Sequence, residues 1–337
     1  MNWFIWQQHR RQFLTLGVLL ALFAAIVITS GLHFSHTYHQ AVLNCTQNPA
    51  TPSCSDLSGN LFQSTSDQVL LNFLPLVTLF LPLLLGMFWG APLLAKEYSD
   101  GTNSLVWTQS VSRRKWLTAK LVWFLFASTV FLAAFTALIT WWSKTPDTLN
   151  MHHGFSQQGI MPIGYGLFAV SIGIMFGAWF RKTMTAVALT LGLFVALQIP
   201  VANFLRPHYM QPITVTSQLG PNLIDAKIPK DAWLVKHMIL DKNGQSFNSF
   251  DINRMPTECQ KFTQKIQVSD GGHLAKLKAE GVDPVDDCLN RFGYYQSATY
   301  QPSDRYWDFQ FIEAGIYTSM AALAVGASYW LVLKRDA

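Results

Sequence analysis

Charge is what this sequence has least of: Asp, Glu, Lys and Arg make up 13% of 337 residues, while half of all residues are hydrophobic. Soluble domains carry about twice that charged fraction, so an ordinary water-solvated fold is excluded. Phosphate-binding G-x-x-x-x-G-K-[ST], H-E-x-x-H and G-x-S-x-G patterns are all absent, which removes the usual signatures of a nucleotide hydrolase, a zinc protease and a serine hydrolase. Ser112-Arg-Arg-Lys115 matches S-x-x-K without its companion motifs and is read as coincidence. Cysteine is scarce as well, at four residues, and none of its spacings resembles a zinc site.

What is there is long apolar runs, at 13–32, 69–94, 116–142, 160–180, 184–205 and 309–333. Each is close to the ~20 residues that a helix needs to cross a hydrocarbon core of ~30 Å. The fold class is therefore an all-α polytopic membrane protein with six transmembrane helices. The first run is too long for the apolar region of a secretory signal and follows the aromatic-rich MNWFIWQQHRRQ, so it is read as an anchor; that opening has the composition of a short interfacial helix.

Basic residues orient the spans, because Lys and Arg are retained on the cytoplasmic side. Arg10 and Arg11 precede span one, Lys96 and Arg113 to Lys115 lie between spans two and three, Arg181 and Lys182 join spans four and five, and Lys334 and Arg335 follow span six. The opposite short loops hold only Lys144. Both termini are thus expected in the cytoplasm (N-in/C-in). The domain boundaries follow: a membrane domain at 1–205 with a cytoplasmic segment at 95–115, an extracytoplasmic domain at 206–308 of mixed α/β or irregular structure between helices five and six, and span six with its tail at 309–337. In 206–308 acidic and basic residues balance, and so long a loop translocates regardless of charge. The net charge of +5 reports orientation, and no nucleic acid partner is expected.

Cys45, Cys54, Cys259 and Cys288 all fall on the expected outer side, where oxidising conditions favour disulfides. Four cysteines allow three connectivities, and the local pairings Cys45 with Cys54 and Cys259 with Cys288 are the expectation. His33, His36 and His39, with His152 and His153, are the only conceivable metal cluster; solvated interfacial histidines are the reading adopted, with no metal.

The central parts of the spans lack ionisable residues, and Lys120 and Glu313, near helix ends, are expected to reach the interface. Energy for uphill movement would then enter from a separate cytoplasmic nucleotide hydrolase. Pro75, Pro82 and Pro92 in span two suggest a kinked helix, either lining a pathway or simply bent and packed. Gly173 and Gly177 form a small face suited to close packing within the chain. Nine tryptophans, among them Trp89, Trp116, Trp142, Trp179 and Trp330, are read as interfacial anchors.

Three stretches resemble the membrane subunits of bacterial export-type ABC transporters (the ABC-two class): GAPLLAKEYSDGTNSLVWTQSVSRRKWLTAKL after span two, with its E-x-x-x-G-T segment; GIMPIGYGLFAVSIGIMFGAWFRKTMTAVALTL through LRPHYMQP; and YQPSDRYWDFQFIEAGIY leading into span six. The resemblance implies a permease in the bacterial cytoplasmic (inner) membrane that pairs with a second permease, as a homodimer, and with two ATP-binding subunits. ATP and Mg would be bound by those partners; this chain would bind no cofactor and be no enzyme itself. Carried over by position, Glu97, Gly101, Thr102, Arg113, Arg114 and Lys115 would form the ATPase-coupling element. Pro302, Arg305, Trp307, Gln310 and Glu313 match the family pattern without an assigned role. The implied function is ATP-driven export of a lipophilic small molecule, peptide or lipid. The alternative is a mechanotransmitter or sensor that acts through its extracytoplasmic domain without transport.

Overall fold

The computed structural model describes residues 2–47, 65–101, 112–143, 155–220, 228–229, 232–247, 255–260 and 284–334. The chain divides into two compact units, one of 1–149, 153–203 and 307–337, the other of 150–152 and 204–306.

The first unit is helical, and among the described residues six helical stretches, all mostly within it, are long and apolar enough to cross a membrane: Arg10–Thr46, Asn72–Ser99, Arg113–Trp142, Met161–Phe180, Thr183–His208 and Ser303–Lys334. Helix α1 runs unbroken over Asn2–Gln47. At 1.5 Å per residue it is about 70 Å long, so the opening segment is one continuous rod with the first span and not a separate interfacial helix. The second span is composite: α2 (Thr65–Leu85), a π turn (Gly86–Gly90) and α3 (Ala91–Ser99). Proline at 82 and 92 removes backbone donors on either side of that turn. The Ala91 N–H donates to the Gly86 carbonyl, five residues back, so the ladder shifts register instead of ending.

Helices α4 (Arg113–Ser143), α5 (Met161–Phe180), α6 (Thr183–Pro200) and α8 (Tyr306–Lys334) complete the unit. Helix α5 is the centre, with fourteen of its 20 residues buried. It packs against α2, the π turn, α3, α4 and α6. The approach to the second span is close: a methyl group placed on Gly173 would lie 2.5 Å from the Gly86 carbonyl oxygen, and one on Gly177 2.6 Å from the Ala91 carbonyl oxygen. The Gly173/Gly177 face is therefore consumed inside the chain, against the bent segment of span two.

Several tryptophans expected at an interface lie in the core instead. Trp89 and Trp116 join Leu94, Leu117, Phe124, Leu132 and Ile174 in the main cluster, and Trp142 joins Val27, Phe34 and Phe135 in a second one. The Trp142 indole N–H donates to Ser30 Oγ at 3.1 Å, which satisfies its polar edge. Trp141, Trp179, Trp307 and Trp330 are exposed, as anchors would be.

The second unit holds an antiparallel sheet of order β1-β4-β2-β3, from β1 (Ile213–Ser217), β2 (Trp233–Leu240), β3 (Ser246–Phe247) and β4 (Tyr295–Gln301), with α7 (Pro284–Arg291) preceding β4. Asp241 Oδ1 accepts from the Asn243 and Gln245 N–H groups, and Gly244 takes φ +76°, closing the β2–β3 hairpin. The Cys259–Cys288 disulfide forms as the local pairing predicts and sits in a small core with Leu219, Met255 and Leu289. Cys45 is disulfide-bonded too, while Cys54 lies outside the described residues.

Candidate functional site

Two places in the helical unit gather polar groups that an apolar bundle would not hold by chance. The first is where α3 ends and α4 begins. Ser99 Oγ donates to the Lys96 carbonyl at 2.9 Å, the Asp100 N–H donates to the same carbonyl, and Gly101 follows at φ +69° with open space around its Cα. That left-handed position turns the chain out of the helix, as Gly-Thr predicts. Thr102 and the rest of 102–111 lie outside the described residues. At Ser112 the Oγ accepts from the Lys115 N–H at 3.4 Å, and α4 starts with Arg113 half-buried and Arg114 and Lys115 exposed.

Glu97 does not face solvent with them. It is buried, and its Oε1 accepts from Lys120 Nζ, itself buried, in an ion pair between α3 and α4. Lys120 therefore does not reach an interface; its ammonium also lies 4.9 Å from the centre of the Trp116 ring. A third chain end comes in beside them. Helix α5 terminates at Arg181, in the left-handed region at φ 56°, and the Arg181 guanidinium sits 4.8 Å from the Tyr98 ring centre. The ends of α3, α4 and α5 are thus joined through charged and aromatic groups. Of the residues the resemblance points to here, Glu97 is buried in its ion pair, Arg113 is half-buried, and Gly101, Arg114 and Lys115 are exposed. Lys120, Tyr98 and Arg181 are additions that reading motifs missed. Opposite charges near the ends of adjacent spans were visible, but the chain gives no spacing rule for their meeting across 23 residues.

The second place is formed by α5, α6 and α8. Glu313, expected near the interface, is fully buried, and the Tyr165 hydroxyl donates to its Oε1 at 2.5 Å. The Tyr317 hydroxyl donates to Gln198 Oε1 at 2.7 Å, and the Tyr165 and Tyr317 rings meet edge to face at 4.7 Å. One turn earlier Gln310 clamps the entry to α5: its Nε2 donates to the Phe155 carbonyl at 2.9 Å and its Oε1 accepts the Ile160 N–H at 3.0 Å. The structure thereby separates the family-like segment into parts. Gln310 and Glu313 fasten α8 to α5 inside the helical unit, and Trp307 is exposed. Arg305 belongs to the sheet unit, where it donates to the Gln211 carbonyl at 2.7 Å and to Gln301 Oε1 at 2.9 Å, next to half-buried Pro302.

Among the described residues no cluster of His, Cys, Asp and Glu has a metal-binding arrangement. His33, His36 and His39 are exposed on α1, and His152 and His153 lie outside the described residues.

The family described as ABC-2 membrane transporter related matches residues 17–206, more than half of the chain, from within α1 to just past α6. No curated protein and no solved structure matches the chain.

Proposed function

The chain belongs to the ABC-2 membrane transporter related family, that is, to the multi-pass permease subunits of ABC transporters, and we propose that it is the permease of an exporter driven by ATP hydrolysis in a separate nucleotide-binding subunit. The observation that carries this reading is the bracketed segment between α3 and α4. Helix α3 ends just before Gly101 and α4 begins after Ser112, and the buried Glu97–Lys120 pair ties together the two helices that flank the segment. Force applied to such a segment by a partner is passed directly to the second and third spans, and through Tyr98 and Arg181 to α5. Coupling of this kind needs two states with different contacts at the ATPase.

In this reading the protein sits in a bacterial inner membrane with the segment and both termini cytoplasmic, as the basic residues require, and the sheet unit on the extracytoplasmic side. Two copies of the permease work with two copies of the ATPase. The cargo is a lipophilic small molecule, peptide or lipid, in keeping with spans whose few charges are paired or hydrogen-bonded inside the bundle.

The test is co-purification of the full chain with its ATPase, followed by ATP turnover for wild type, Glu97→Gln and Arg113→Ala. Retention of the ATPase with uncoupled turnover in the variants is expected; an ATPase never retained would sink the reading. ATP-dependent movement of labelled amphiphiles in sealed vesicles separates export from its rival, a mechanotransmitter. The disulfide-bearing sheet unit favours that rival, which predicts ATP-driven conformational change with no movement of solute.

A further inference from the structure

Helix α4 carries an open groove of about 630 Å³ along one exposed face, lined by Arg114, Lys115, Thr118, Val122, Trp123 and Phe126. The lining is graded. Two exposed cations stand at the start, Thr118 follows, and the far end is apolar, with Val122 60% and Phe126 62% exposed. Thr118 is held in place, since its Oγ1 donates to the Arg114 carbonyl at 2.7 Å and accepts from the Tyr329 hydroxyl of α8 at 2.7 Å.

We propose that this groove is a site for an anionic phospholipid, whose phosphate is held by Arg114 and Lys115 and whose acyl chain lies along Val122, Trp123 and Phe126. Three observations select that occupant. From Arg114 to Phe126 the face rises about 18 Å, close to the ~15 Å of hydrocarbon in one leaflet. Arg113, Arg114 and Lys115 are also gathered at the positive end of the α4 dipole, with no acidic residue in the first turn, so the local field favours an anion. A second copy of the chain suits the face less well. Two copies related by a two-fold axis normal to the membrane would bring their Arg114 and Lys115 to the same depth, like charge against like. The proposal rests on the membrane-embedded permease reading and not on ATP coupling, so it can stand or fall while the ATPase partner is still unidentified.

The experiment titrates the full chain, purified in mild detergent, with phosphatidylglycerol and with phosphatidylcholine carrying brominated acyl chains, and reads tryptophan emission. The groove's own signal is the difference between wild type and Trp123→Phe. Phosphatidylglycerol is expected to quench that signal at far lower mole fraction than phosphatidylcholine. Arg114→Gln/Lys115→Gln should weaken the anionic lipid about 30-fold, about five-fold for each cation removed, and leave phosphatidylcholine unchanged. Equal quenching by both lipids would reduce the groove to ordinary annular contact and overturn the site. Quenching that appears only when protomers are dissociated would give the face to a second copy and overturn it too. Should the double variant fail to fold, the charge-preserving Arg114→Lys/Lys115→Arg must keep the preference and high salt must erase it in the wild type; failure of either rejects the proposal.

Discussion

Glu97 and Lys120 meet inside the helical unit, with side chains only 10% and 2% exposed, although one stands on α3 and the other on α4. The desolvation of two charges opposes such a pair as strongly as their attraction favours it, so its value to the protein is in fixing geometry more than in adding stability. Each partner is the reason the other can be buried.

That mutual dependence predicts an asymmetry among variants. Glu97→Ala strands the Lys120 ammonium and should cost about 3–5 kcal/mol, whereas the apolar double variant Glu97→Leu/Lys120→Met should recover most of the loss. Thermal unfolding in detergent of wild type, Glu97→Leu, Lys120→Met and the Glu97→Leu/Lys120→Met double variant closes the double-mutant cycle. Single and double variants of equal stability would show that the two charges do not depend on one another.

Gly173→Ala should be among the most damaging changes in the bundle, because its new methyl meets backbone, the Gly86 carbonyl oxygen and the Ala91 nitrogen, at 2.5 and 2.8 Å. Backbone cannot rotate away as a side chain can, so α5 must separate from the π turn. Overpacking of this kind costs about 1–3 kcal/mol. Gly192→Ala and Gly326→Ala meet nothing within 4 Å and serve as controls; they should be neutral or slightly stabilising through helix propensity. Expression level and melting temperature in detergent read the contrast, and equal behaviour of Gly173 and Gly192 variants would contradict the packing.

Much of this architecture was legible in the sequence because a bilayer imposes length and apolarity on every span, and these are one-dimensional properties. The six runs, the close-packing role of Gly173 and Gly177, the helix exit at Gly101 and the Cys259–Cys288 pairing could each be read locally. What a span touches could not. Tryptophan composition suits both a headgroup layer and a packed core, and sequence alone does not tell which side Trp89, Trp116 and Trp142 take; the core takes all three. Lys120 and Glu313 were misplaced for a related reason: distance from a helix end is visible in sequence, but the direction a side chain faces depends on which neighbour offers Glu97 or Tyr165.

The Tyr165–Glu313 contact predicts that acceptor capacity matters more at position 313 than size. Glu313→Gln retains an oxygen for the Tyr165 hydroxyl and should cost little. Glu313→Leu leaves that hydroxyl buried without its acceptor, a loss of about 1–3 kcal/mol. Tyr165→Phe introduced into the Glu313→Leu background should restore part of it, because no donor is then stranded. Melting temperatures of the three variants decide; a Tyr165→Phe change that only adds to the damage would mean that the hydroxyl is served by another group.

The disulfide predicts where the sheet unit is vulnerable. Cys259 and Cys288 are 29 residues apart, and closing a loop of that length removes enough freedom from the unfolded chain to contribute about 3–4 kcal/mol. Both sulfurs are buried against Leu219, Met255 and Leu289, so replacement by serine would add the cost of burying hydroxyls, and alanine is the cleaner substitution. Hydrogen exchange on the full chain should show Cys259→Ala/Cys288→Ala losing protection in β2, β4 and α7, while α5 and α8 keep theirs. Because the helical unit has its own core, ATPase association should survive the loss if coupling runs through the α3–α4 segment alone. Loss of ATPase association together with sheet protection would mean that the two units fold as one and that the sheet unit contributes to the coupled complex.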